Sequence, residues 1–159
     1  MRIVDASSIV QAWDSYPIEI FPQLWDWLAG ELAAGQLQIP DVAYVEVGHV
    51  CPDCAIWLKN NAVQVASTDA ATVATAMAIK NLMGIQNDEY HRLGVDENDV
   101  LVISAAKVHA VELLSNESVQ STLPVNIKQY KIPAVCNLVG VKVTCISFLD
   151  FLKASKVSF

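Results

Sequence analysis

Charge is scarce in this 159-residue chain, and basic charge is scarcest, with 10 Lys and Arg against 17 Asp and Glu. A formal net charge of −7 argues against a broad basic face for long duplex DNA. It leaves a nuclease open, because metal-binding carboxylates add to that charge and divalent ions offset it locally. No apolar run reaches the ~20 residues that cross a bilayer, so no membrane span is expected. The first residues lack the apolar core and cleavage site of a signal peptide. Internal repeats and low-complexity linkers are missing too. His49, His91 and His109 form no metal-ligand pattern and no serine–acid triad. His109 instead ends a helical pattern, where its charge suits the helix dipole.

What is present is a chain that folds. Hydrophobic residues make up 53%, and the length suits one domain over residues 1–159 with a proper core. A cytoplasmic setting is expected, and there the four cysteines stay reduced.

Short apolar stretches alternate with helical patterns. RIV reads as a strand ending at Asp5, and Ser7 to Trp13 as the start of a helix. Pro22 opens PQLWDWLAGELAAG, in which Leu24, Leu28 and Leu32 share a face and Gly35 stops the helix. LQIP is a brief strand, DVAYVEVGHV a helix with Asp41 as candidate cap, and CPDCAIWLKNN another short helix. AVQVAS is a strand or extended connection, and TDAATVATAMAIKNLMG a long helix closed by Gly84. GVDENDVLVISAAKVHA opens with acids and becomes an apolar helix. VELLSNE and VKVTCIS read as strands, FLDFLKAS as a last helix, and Ser118 to Pro133 as the longest loop. This alternation predicts an α/β domain with a mainly parallel, buried sheet. Ligands of such sheets sit in the crevice beyond the carboxyl ends of the strands.

Four acids share that kind of address. Asp5 follows the first strand, Glu46 lies between Val45 and Val47 on a helix, Asp99 opens DVLVISAAK, and Glu117 ends ELLSNE. Carboxylates gathered together repel, so a site holding them requires cations. Hard oxygen ligands favour Mg²⁺ or Mn²⁺, and such an ion activates water against a phosphodiester. Each acid also has a plainer reading. Asp5 suits a helix cap, Glu46 a solvated helix face, and Glu117 a loop. Asp96 and Asp99, three apart, suit the two ends of a capping box.

At this point the chain resembles a known family. DASSIVQA is similar to the opening of the PIN-domain nucleases, whose VapC-type members are bacterial toxins. DVLVISAAK resembles their third-acid helix, and LLSNE their strand that ends in Ser or Thr, one residue, then the fourth acid. FPQLWDWL, VAYVEVGHV and KIPAVCNLVGVKVTCIS carry a closer likeness to an uncharacterised PIN-like branch, so the resemblance spans nearly the whole chain.

The resemblance implies a three-layer α/β/α sandwich with a mainly parallel central sheet. It implies a hydrolase, a metal-dependent endoribonuclease that is often the toxin of a toxin–antitoxin pair, with an RNA substrate, an antitoxin partner and a homodimer. Asp5, Glu46, Asp99 and Glu117 fall on its four acidic positions, which bind Mg²⁺ or Mn²⁺. Ser7 and Ser115 fall on the polar positions that orient a carboxylate or water, and Asp96 stays beside them as cap or supporting group. Glu117 departs from the family, which has aspartate there, and reaches one methylene further.

Two other features compete. HVCPDC holds a C-x-x-C, Cys51 and Cys54, a spacing of redox and zinc sites, with His49 nearby; it lies between two helical patterns rather than after a strand as the redox reading wants, and Cys136 and Cys145 would complete a four-ligand zinc site. Buried or incidental thiols are the simpler reading. Trp25, Trp27 and Trp57 fall among apolar helix partners and read as packing residues rather than base-stacking platforms. Arg92, Lys107, Lys128 and Lys131 are the candidate phosphate contacts, with solvated lysine as the plain alternative.

Overall fold

Ile3 and Val4 leave almost no surface in water, and strand β1 (Arg2–Val4) that carries them lies in the middle of the sheet. In the computed structural model, which describes residues 1–158, five strands run in the order β3-β2-β1-β4-β5 and every pairing is parallel. The others are β2 (Leu37–Pro40), β3 (Gln64–Ala66), β4 (Leu113–Leu114) and β5 (Cys145–Ile146). The helices are α1 (Ala6–Ser15), α2 (Pro22–Ala33), α3 (Asp41–Val50), α4 (Pro52–Asn60), α5 (Ala70–Leu82), α6 (Glu97–Val108), α7 (Ile132–Cys136) and α8 (Phe148–Ser155).

From β1 the chain steps to β2 and β3 on one side, then returns across β1 to β4 and β5 on the other. Parallel strands need right-handed crossovers, so α1–α4 cover one face and α5–α7 the opposite one. The result is the expected three-layer α/β/α fold. Strand order reverses between β1 and β4, which makes the gap past their carboxyl ends the natural ligand crevice.

Burial explains why such short strands hold. Ile3, Leu37, Ile39, Leu113 and Leu114 sit in one core with the inner faces of α1, α2, α3 and α6. Trp13, Trp25 and Trp57 form an edge-on cluster, with centroids 5.1 Å apart for Trp13–Trp25 and 4.7 Å for Trp25–Trp57. Trp27 stacks on Phe151 at 5.2 Å. The tryptophans are therefore packing residues, each providing a large apolar area.

Several local readings change. Ser118 to Pro133 is not all loop: a 3₁₀ turn forms at Ile127–Gln129, and α7 starts at Ile132 with a proline in its first turn. Only two residues each of VELLSNE and VKVTCIS pair as strand. Asp41 is not a cap but the first helical residue after Pro40, and its carboxylate takes the Thr68 hydroxyl at 2.6 Å and the Thr68 N–H at 2.8 Å. That contact ties the entry of α3 to the segment leaving β3.

Candidate functional site

β1 is the central strand, and its ladder extends one residue further because the Asp5 N–H donates to Leu114 O at 2.8 Å. The next residues turn into α1. Asp5 therefore occupies the cap position of α1, yet its side chain closes no capping hydrogen bond of ordinary geometry. Its Oδ2 instead accepts from the Ser7 hydroxyl and from the Ser115 hydroxyl, the latter at 3.1 Å. Asp5 is 4% exposed, and burial raises its pKa against the opposing pull of these hydroxyls and nearby amides.

Ser115, Asn116 and Glu117 follow β4 on the other side of the crevice. The Asn116 N–H donates to Ser7 Oγ at 3.0 Å, and the Glu117 N–H to Ser115 Oγ at 3.3 Å. Asn116 also takes the Phe148 N–H at 2.7 Å on Oδ1 and gives its Nδ2 to Gln11 Oε1 at 2.8 Å. One residue thus fastens β4 to the starts of both α1 and α8. Sequence reasoning passed over Asn116; its place between two residues of the LLSNE motif was the available signal. Glu117 is held by α7, whose Ile132 N–H donates to Oε2 at 2.9 Å.

Asp96 and Asp99 form the capping box that their spacing suggests. The Asp99 N–H donates to Asp96 Oδ1 at 3.0 Å, and the Asp96 N–H to Asp99 Oδ2 at 2.9 Å. Capping does not exhaust Asp99. Its carboxyl is pushed up to about 8, first by burial and then by the charges of Asp96, Glu117 and Asp5. Glu46, half-buried on α3, is raised by burial and by Asp5, Asp96 and Glu117. The charges that act on Glu46 and Asp99 are all carboxylates. Asp5, Asp96 and Glu117 thus act on both Glu46 and Asp99.

A hard divalent cation fits this donor chemistry: oxygen donors, unbalanced negative charge and serine hydroxyls that fix one acid in place. The carboxylates stand apart, however. Among the described residues no three His, Cys, Asp or Glu side chains are arranged to hold a metal ion. Glu117 and Asp99 each lend one oxygen to a backbone amide, so a second oxygen is what each has to offer a cation.

The cationic candidates divide. Lys128 and Lys131 lie on the segment leading into Ile132, beside Glu117, and Arg92 is exposed on the loop before α6. Lys107 does not belong with them. It ends α6, about 12 Å along the helix from Asp99 at 1.5 Å per residue. There its Nζ donates to Val141 O at 2.8 Å. The cysteines likewise form two separate pairs rather than one zinc site. Cys51 contacts Cys54, and Cys136 donates to Cys145.

No curated protein matches the chain. Among solved structures it is similar to a chain of "VapBC2 from Rickettsia felis bound to a DNA fragment from their promoter". That likeness has a TM-score of 0.56 and 12% identity, over 92% of this chain and 97% of the other. At such identity it carries the fold alone, a PIN-like α/β/α sandwich. Among the described residues no helix is long and apolar enough to cross a membrane. Over residues 3–159 the sequence matches the family described as Domain of unknown function (DUF4411), and the chain belongs to that family.

Proposed function

We propose that this chain is a metal-dependent endoribonuclease of the PIN type. In this reading Asp5, Glu46, Asp99 and Glu117 hold Mg²⁺ or Mn²⁺ and act together on an RNA phosphodiester. What supports the proposal most is that Asp5 lies just past β1 at the strand-order reversal, held by Ser7 and Ser115, and that burial and neighbouring carboxylates raise both Glu46 and Asp99. When bound, the cation supplies an activated water and neutralises charge on the phosphate.

The protein's own groups set the geometry. Ser7 and Ser115 fix Asp5 through Oδ2, and Asp96 fixes Asp99 through its N–H. The Ile132 N–H fixes Glu117. Arg92, Lys128 and Lys131 supply contacts to flanking phosphates of a strand laid across the crevice, which suits a protein without a broad basic face. An antitoxin that covers the crevice completes the proposal, supported by the likeness to a chain of a VapBC2 assembly; a homodimer is proposed with it on the family resemblance alone.

A second reading, a PIN-like binding or scaffold module with little catalysis, draws on one specific observation. No three of the acids are arranged to hold a metal ion. Cleavage of a mixed RNA pool with Mn²⁺, Mg²⁺ or EDTA separates the two. The enzyme reading expects cleavage that needs metal and disappears in Asp5→Asn and Asp99→Asn. A folded wild type that cuts nothing and binds no metal supports the module.

A further inference from the structure

The CPDC stretch plays no part in the acidic crevice, yet its two thiols are placed unequally. Cys51 lies between α3 and α4 with φ −142° and ψ 78°, and its N–H donates to Val47 O at 2.8 Å. It keeps part of its surface in water, whereas Cys54, in the first turn of α4, is 0% exposed. The two thiols are three residues apart, across the start of α4, and Cys51 acts on the Cys54 thiol.

We propose that CPDC is a thiol–disulfide exchange site, in which Cys51 meets a small-molecule disulfide and Cys54 closes an internal disulfide. No side chain caps α4, and Pro52 has no N–H to give. The amides of Asp53 and Cys54 are therefore left without a side-chain partner at the end of the helix where Cys51 sits. Burial, with Cys51 and Asp14 nearby, pushes the Cys54 thiol up to about 12. Cys54 therefore waits protonated while the half-buried Cys51 thiol reacts. A structural zinc is a poorer fit, since it takes four ligands and no third one is arranged beside this pair among the described residues.

The exchange balances in two steps. Cys51 gives its proton to solvent and attacks one sulfur of a disulfide RSSR. The S–S bond breaks, RS⁻ leaves and is protonated, and a Cys51–SR bond forms. Cys54 then loses its proton and attacks Cys51 Sγ, expelling the second RS⁻. Two cysteine thiols are oxidised by two electrons, and RSSR is reduced to two RSH. The Cys136–Cys145 pair has a half-buried thiol as well, Cys145, and is the competing site that the mapping below separates from CPDC. Cys136 is 0% exposed, and its thiol is pushed up by its hydrogen bond to Cys145 and by burial.

Oxidised glutathione is the probe. The full chain is incubated with it, quenched in acid, denatured, alkylated and mapped by peptide mass, with far-ultraviolet circular dichroism as the fold control. The wild type is expected to keep two of its four thiols titratable. Its Cys51–Cys54 peptide becomes lighter by two hydrogens, with a transient glutathione adduct on Cys51 at early times. Cys54→Ser is expected to trap that adduct, and Cys51→Ser to yield neither product. Wild-type protein in which Cys51 and Cys54 both remain alkylatable overturns the proposal. So does an adduct that appears first on Cys136 or Cys145. The wild-type time course decides the matter even where a cysteine variant does not fold.

Discussion

The Ser115 hydroxyl donates to Asp5 Oδ2 at 3.1 Å, joining residues 110 positions apart across the gap between β1 and β4. This bond locks a buried carboxylate at the point where the sheet reverses its strand order. Ser115→Ala removes one of two hydroxyl donors from that carboxylate. A loss of about 1–3 kcal/mol is expected in urea unfolding, as for a buried acceptor left short of a partner. If Asp5 works on RNA, cleavage falls with it, while a threonine at the same position restores both.

Asp99 opposes folding at neutral pH. A carboxyl whose folded pKa lies above its unfolded one favours the folded state most while protonated. The stability it contributes is complete below about 3.8 and is lost as pH rises toward about 8. Asp99→Asn keeps an oxygen for the Asp96 N–H and deletes the charge. In EDTA at pH 8 it is expected to stabilise the protein by about 1–3 kcal/mol, since the partly exposed group is screened by solvent. The gain shrinks below pH 4. Thermal melts at both pH values check this. Added Mn²⁺ should raise the melting temperature of wild type and leave Asp99→Asn nearly unmoved.

Asp41 has the opposite sign. Burial works against its charge, but the Thr68 hydroxyl and amide and the Val42 amide outweigh it and lower its pKa. Its contribution is therefore present above about 3.8 and is lost as pH falls through its depressed folded value. Asp41→Asn should cost about 0.5–1 kcal/mol at pH 7, a figure kept small because the half-buried carboxylate is still screened by solvent. Denaturation midpoints at pH 7 and pH 3 should converge for wild type and variant at the lower pH.

Gly94 sits against the segment that leads to Ile132. A Cβ there would stand 2.0 Å from Lys128 O, a backbone atom that cannot swing aside. Gly94→Ala should destabilise the protein by about 1–3 kcal/mol, as overpacking does. Because Ile132 holds Glu117, the displaced segment should also weaken Mn²⁺ binding, measured by titration well below the melting temperature.

Much of this arrangement was legible because its signals are local. Asp5 after Ile3 and Val4, Asp96 three before Asp99, and Leu24, Leu28 and Leu32 on one face each announce an element within a few residues. The rest depends on partners far along the chain. α7 begins in the last two residues of a stretch read as loop and runs past it, and KIPAVC is too short for a helical period to emerge; only the proline after Ile132 marked its start. The roles of Asn116 and Asp41 depend on Ser7, Phe148 and Thr68, which no local pattern brings together. The distance of Lys107 from Asp99, eight residues along one helix, was legible, but its partner Val141 O was not.

A crystal soaked in Mn²⁺ and measured at the manganese edge tests the central claim most directly. The account predicts an anomalous peak within about 2.0–2.6 Å of oxygens from Asp5 and at least one of Glu46, Asp99 and Glu117. A peak elsewhere, or none at saturating Mn²⁺ with the crevice open to solvent, would contradict it.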